Sequence, residues 1–208
     1  LVPALARDAA GSGAVLVGGA VQLAVLFMSG NTFGADGAAL THELITGIAT
    51  RELVVAKARS IAIVAAPLAV VGPFVAAAVT DEWRYLGAGF GVGAGALMAG
   101  TGAALVQSSL VPIAMPETDN PFASGESGKG IVAASLLAVV LTGLAALTFP
   151  VALALLWATD RGDPFLVTVF ASVTVLVGWA ALRIGIAIAV RRIGGRQPEF
   201  VAAITPAR

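Results

Sequence analysis

NTFGADGAALTHELITGIATRELVVAKARS, residues 31–60, is the longest run in the first half of the chain to carry charges of both signs. It lies between two stretches apolar enough for a bilayer. The pattern predicts an elbow, with a short amphipathic helix, a turn, and a second helix that climbs back into the membrane. Leu40, Leu44 and Ile48 recur every four residues on one face while Glu43 falls elsewhere. Asp36 stands where an N-cap would, and Gly47 is a natural stop. Thr50 opens the next helix, with Glu52 in its first turn and Lys57 and Arg59 at the membrane boundary. From these residues alone the elbow reads either as a helix resting on lipid headgroups or as a helix on which a soluble partner docks.

The chain around it is 58% hydrophobic and 12% charged, against about a quarter charged in an ordinary soluble domain. A single all-α, polytopic bundle of transmembrane helices is the expectation over residues 1–208. A bilayer core of ~30 Å takes about 20 apolar residues per helix. Uncharged runs of that order predict five spans, near 12–30, 60–79, 86–107, 131–157 and 165–190. The chain opens on Leu1 without a signal-peptide pattern, so a fragment or a processed form is the expectation, with Leu1 to Ala6 as the end of a sixth span.

The connections give the orientation. TDEWR (80–84) and TDRGD (159–163) are tight and acidic, and Trp83, Tyr85 and Trp157 beside them suit a headgroup belt. Eight Lys or Arg fall on the other side: Arg51, Lys57, Arg59, Lys129, Arg191, Arg192, Arg196 and Arg208. Only Arg7, Arg84 and Arg161 fall on the side of the acidic turns. The positive-inside bias puts the elbow, the 108–130 loop and the C-terminus in the cytoplasm, and the chain in the cytoplasmic membrane.

Within the spans, Gly87, Gly91 and Gly95 recur every fourth residue, as do Gly89 and Gly93. On a helix these are smooth strips for close approach of another backbone. No GxGxxG spacing supports a phosphate loop. Pro67, Pro73 and Pro150 are expected to kink or loosen their spans. Gln22 and Arg183 are the in-membrane polar residues to watch. Arg183 is expected to snorkel toward the headgroups, and Gln22, Gln107, Ser108 and Ser109 to hydrogen-bond between helices.

Chemistry has little to work with. His42 is the sole histidine, there is no cysteine, and the carboxylates are scattered in loops, Glu117, Asp119 and Glu126 being the densest group. No nucleophile–base pair or metal-ligand set emerges. The expectation is a protein without cofactor or catalytic centre. Zero net charge with no dense basic run also gives nucleic acid no purchase.

Three stretches together resemble a family. NTFGADG with its following helices is similar to the Asn-x-Phe-Gly-x-Asp-Gly segment of permease subunits of bacterial ATP-binding-cassette exporters, especially the actinobacterial kind. MPETDNPFASGESGKG resembles that family's cytoplasmic loop, through Met115, Pro116, Glu117, Asn120, Pro121, Phe122 and Ala123. RRIGGRQPEFVAAI resembles its terminus, through Arg196, Pro198, Glu199, Ala202 and Ala203.

The resemblance implies the C-terminal half of a longer permease. Its partners would be a separate ATP-binding subunit, a second permease half or a second copy, and membrane lipid. It further implies an ATPase-docking elbow of Asp36, Leu40, Glu43, Leu44 and Gly47, with Arg51 and Lys57 positioning it at the headgroups. Export is the direction the resemblance implies, while a bundle of Ala, Gly, Val and Leu with few polar positions suits a hydrophobic or amphipathic cargo, such as a drug, antibiotic or lipid. The alternative is an ATPase-independent helical transporter or channel, or a membrane scaffold. Intramembrane Asp and Glu, the usual ion relays, are absent from all five expected spans.

Overall fold

A computed structural model describes residues 13–114 and 127–205. Among the described residues every regular element is a helix, with no strand. In order, α1 spans Gly13–Ser29, α2 Thr32–Ala35, α3 Gly37–Ile45, α4 Thr50–Thr80, α5 Leu86–Leu110, α6 Ser127–Asp160, α7 Pro164–Gly195 and α8 Gln197–Ile204. A 3-10 turn, Trp83–Tyr85, leads into α5. Four segments are long and apolar enough to cross a bilayer, namely Thr50–Thr80, Trp83–Leu110, Ala134–Asp160 and Pro164–Gly195. The chain is a helical membrane protein. Over its described residues α1 runs for 17 apolar and small residues with one glutamine, Gln22. The stretch read as the end of an earlier span, residues 1–6, lies outside the described residues.

The helices are apolar on the outside as well as the inside. Ile63, Val64, Val71, Val75 and Val79 on α4 and Ile131, Val139 and Phe149 on α6 are exposed. Lipid is as apolar as these side chains, so the hydrophobic effect cannot hold such helices together, and close van der Waals packing must. The glycines provide it.

α5 is the central post. On one side Gly89 and Gly93 meet α4, where a Cβ on Gly93 would lie 2.8 Å from the Ala69 carbonyl oxygen and one on Gly89 3.0 Å from Pro73. On another, Gly91, Gly95 and Gly102 meet α7 at Ala171, Thr174 with Gly178, and Ala181 with Gly185. The matching positions rise together along both helices, so α5 and α7 run parallel. α1 packs on a third side, with Val25 against Gly100 and Val92 against Gly18. The two expected strips of small residues thus seat two different helices. Gly87, by contrast, faces open space.

α4 and α6 continue as helix through Pro67, Pro73 and Pro150. The tight turns are built as their residues suggest. Asp81 and Gly162 take positive φ, and the Asp163 carboxylate accepts the backbone N–H of Phe165 and Leu166 to cap α7. Arg84 forks onto Glu82, at 2.6 Å and 3.0 Å. Arg161 lies over the Trp157 ring at 4.1 Å.

Gly178→Ala puts a methyl group onto the Gly95 carbonyl, so α5 and α7 must separate at a cost of about 1–3 kcal/mol. The expected outcome is a lower melting temperature in detergent for Gly178→Ala and none for Gly87→Ala. Equal melting of both variants would contradict glycine-mediated packing.

Candidate functional site

Where α1 ends, the chain turns sharply and is tied down by one residue. Asn31 precedes α2, yet its carboxamide does not cap that helix. It turns instead to the extended stretch after α5, donating from Nδ2 to the Ile113 carbonyl at 2.8 Å and accepting the Ile113 N–H at Oδ1 at 2.9 Å. An asparagine amide carries one donor side and one acceptor side, as a peptide does, so it pairs with Ile113 as a β-strand neighbour would. Gly34 makes room, since a Cβ there would overlap both the Ile113 carbonyl and Asn31 Oδ1.

Phe33 locks the same corner from inside. Its backbone N–H donates to Ser108 Oγ at 2.9 Å. Its fully buried ring meets Phe200 of α8 edge-on, with centroids 5.8 Å apart at 78°. Gly37 has φ +22 and passes the Ile204 carbonyl closely enough to bring a Cβ to 3.2 Å. The motif Asn31-x-Phe33-Gly34-x-Asp36-Gly37 is therefore a set of fasteners joining α1, α5 and α8.

The α3 helix lies beyond this corner. Leu40 and Leu44 are buried, in one cluster with Leu53, Val54, Ile193, Phe200 and Ile204. Ile48, expected on the same face, is exposed, because α3 ends at Ile45 and Gly47 at φ +86 turns the chain out of helical register. Asp36 occupies the N-cap position, but it has αR backbone angles and its side chain bonds no helix N–H. Its carboxylate pairs with Lys57 on α4 instead. The expected cap is thus a brace between α3 and α4. Lys57, expected at the headgroups, is its other end.

What the corner leaves on the surface is a rim of mixed chemistry: His42, Glu43, Ile45, Ile48 and Arg51 are all exposed, Ile45 at 76%. At the neighbouring junction of α7 and α8, Arg191, Arg192 and Arg196 surround a shallow cleft of about 350 Å³. Arg196 lies at the bend between the two helices, followed by Pro198 and Glu199 in the first turn of α8. Pro116, Glu117, Asn120, Pro121 and Phe122 lie outside the described residues. Among the described residues no three His, Cys, Asp or Glu side chains gather as a metal ion would require.

Gln22 and Arg183 are elsewhere. Arg183 is exposed on α7 with its guanidinium 5.6 Å from the Trp179 ring centroid. Gln22 lines a half-open cavity bordered by α1, α5, α6 and α7. Sequence reasoning gave Asn31, Phe33 and Gly34 no physical role of their own. The available signal was an Asn-x-Phe-Gly directly after a long apolar run, a place where a chain leaving the membrane must satisfy free backbone groups. No protein-family profile, curated protein or solved structure matches the chain.

Two outcomes test the corner. Asn31→Asp keeps the acceptor for Ile113 N–H but sets a carboxylate against the Ile113 carbonyl, so it should release residues 111–114 as fully as Asn31→Ala. The loss, about 1–3 kcal/mol for a part-buried pair, is read as faster amide exchange at Ile113. Unchanged exchange would contradict the clamp. Asp36→Ala strands a half-buried ammonium and should destabilise more than Lys57→Met, with a coupling energy in the double-mutant cycle; strict additivity would mean that the pair does nothing.

Proposed function

We propose that the chain is the transmembrane permease subunit of an ATP-driven exporter in the cytoplasmic membrane, moving a hydrophobic or amphipathic compound with energy from a separate ATP-binding subunit. In this reading α1, α4, α5, α6 and α7 are five spans of one permease domain, the C-terminal half of a longer permease. The Asn31 corner and the C-terminus face the cytoplasm. The chain itself carries no catalytic centre. A second half or a second copy completes the pathway.

The observation that carries the reading is the convergence of the first and third resembling stretches at one end of the bundle. Phe33 meets Phe200, and Asn31 ties the same corner to Ile113 after α5. Regions far apart in sequence thereby become one surface. Alternating access needs a place where a soluble engine can push and a bundle with two arrangements to receive the push. Three properties suit the corner to receive that push. It is cross-braced by Asp36 and Lys57, seated by buried Leu40 and Leu44, and exposed at His42, Glu43 and Ile45. Leu40 and Leu44 then seat the docking helix from behind, and Glu43 with Ile45 makes the contact. Among the described spans the only carboxylates, Glu52 and Asp160, stand at the helix ends, so none sits mid-span where an ion-coupled transporter would use it.

Because Leu44 is buried, deleting the helix or breaking it at Leu44 would damage the fold along with any docking. Glu43→Lys and Ile45→Asp alter only exposed side chains. Both should insert and melt normally, yet fail to co-purify with the separate ATP-binding subunit that this reading requires. In reconstituted vesicles they should cut ATP-dependent export roughly 5- to 150-fold, the span of a typical coupling free energy. Normal export by both would end the docking role.

A further inference from the structure

The cavity beside Gln22 has a volume of about 270 Å³ and lies at mid-height between α1, α5, α6 and α7. Its α1 and α5 walls are largely small residues, Gly18, Gly19, Gly95 and Ala96, and its α6 wall carries Phe149 and Leu155. No charged residue lines it. Three polar side chains do: Gln22, Thr148 and Thr174.

Their hydrogen-bonding capacity is unequal. Thr148 donates its hydroxyl proton to the Leu144 carbonyl at 2.9 Å, and Thr174 donates to the Phe170 carbonyl at 3.0 Å. Each hydroxyl therefore has only lone pairs to offer the cavity. Gln22 is half-buried, and its carboxamide makes no hydrogen bond among the described residues, so it offers two donors and an acceptor. At membrane depth an unsatisfied amide is costly. A plain acyl tail would leave it unsatisfied. A charged head would be buried without a counter-charge.

From this complementarity we infer that the cavity is a binding site for a neutral amphiphile, one hydroxyl- or amide-sized head on an apolar body, entering from the bilayer. The head sits at Gln22 and the body against the glycine wall and Phe149. By comparison with a ~150 Å³ cavity that holds benzene, the occupant has roughly ten non-hydrogen atoms. That this molecule is the cargo rests on the exporter reading; its binding does not.

The test uses the whole chain in lipid nanodiscs, with no ATPase present. The probe is a diazirine-bearing eight-carbon alcohol, and adducts are located by mass spectrometry. Saturable adducts on residues 18–23 and 141–155 are expected, competed by 1-octanol but not by octane. Gly19→Phe should abolish them without lowering the melting temperature, because a Cβ at Gly19 meets nothing within 4 Å and the ring takes the space of the cavity that Gly19 lines. Gln22→Leu should weaken binding about three- to tenfold, the worth of one net hydrogen bond.

Labelling that is unsaturable, or indifferent to both variants, overturns the site. Equal competition by octane makes the occupant a lipid tail, and protection at raised protein-to-lipid ratio makes it a second copy; either result overturns the proposal, as does absent labelling. Absent labelling would nevertheless leave the docking role at Glu43 standing, and normal export by the Glu43 and Ile45 variants would leave the cavity standing.

Discussion

Everything in this bundle depends on how closely two helix backbones can approach where no water is present to drive them together. Gly95 and Gly178 lie against each other, and Gly102 and Gly185 repeat the contact seven residues further on. At each point the nearest atom across the interface is a carbonyl oxygen of the other helix. No side chain larger than hydrogen fits there. Dispersion contacts of about 0.1–0.2 kcal/mol each accumulate only because α5 and α7 run parallel with their glycines in phase. With α4 and α1 seated on its other sides, α5 is the most deeply buried of the candidate spans.

That centre leaves α6 on the outside. Only 6% of its apolar window is buried, against 61% for the α5 segment. A helix held by so little contact with its neighbours closes the cavity on one side. The cavity and the loosely seated wall are therefore two aspects of one packing decision, in which small residues are placed at the α5 interfaces and larger ones face lipid.

Much of this is legible in the sequence. The helical class follows from long uncharged runs, and the strips at Gly89/Gly93 and Gly91/Gly95 are visible because four-residue spacing is a local property. The motifs at one end of the bundle are visible as strings, but their purpose is not. Asn31 needs Ile113, 82 positions away, and periodicity carries no information at that distance. Asp36 misleads for a related reason. Its position before a helix is the local signature of a cap, and a lysine one helix further on competes successfully for the carboxylate. Ile48 falls on the buried face only if a helical period is extended past the glycine that ends it. Gly102, Gly178 and Gly185 escape notice because their seven-residue spacing becomes informative only when two parallel helices are set side by side.

The helix α4 runs unbroken for 31 residues from Thr50 to Thr80, about 46 Å at 1.5 Å per residue. A hydrocarbon layer of ~30 Å takes up only part of that length, and the Lys57 brace sits near the excess. A rod longer than the slab it crosses, gripped at its overhang, is a lever arm. Tilting the overhanging end swings the opposite tip beside Trp83 only as far as the rod stays stiff through Pro67 and Pro73, where the missing backbone N–H donors leave two weak points in its ladder.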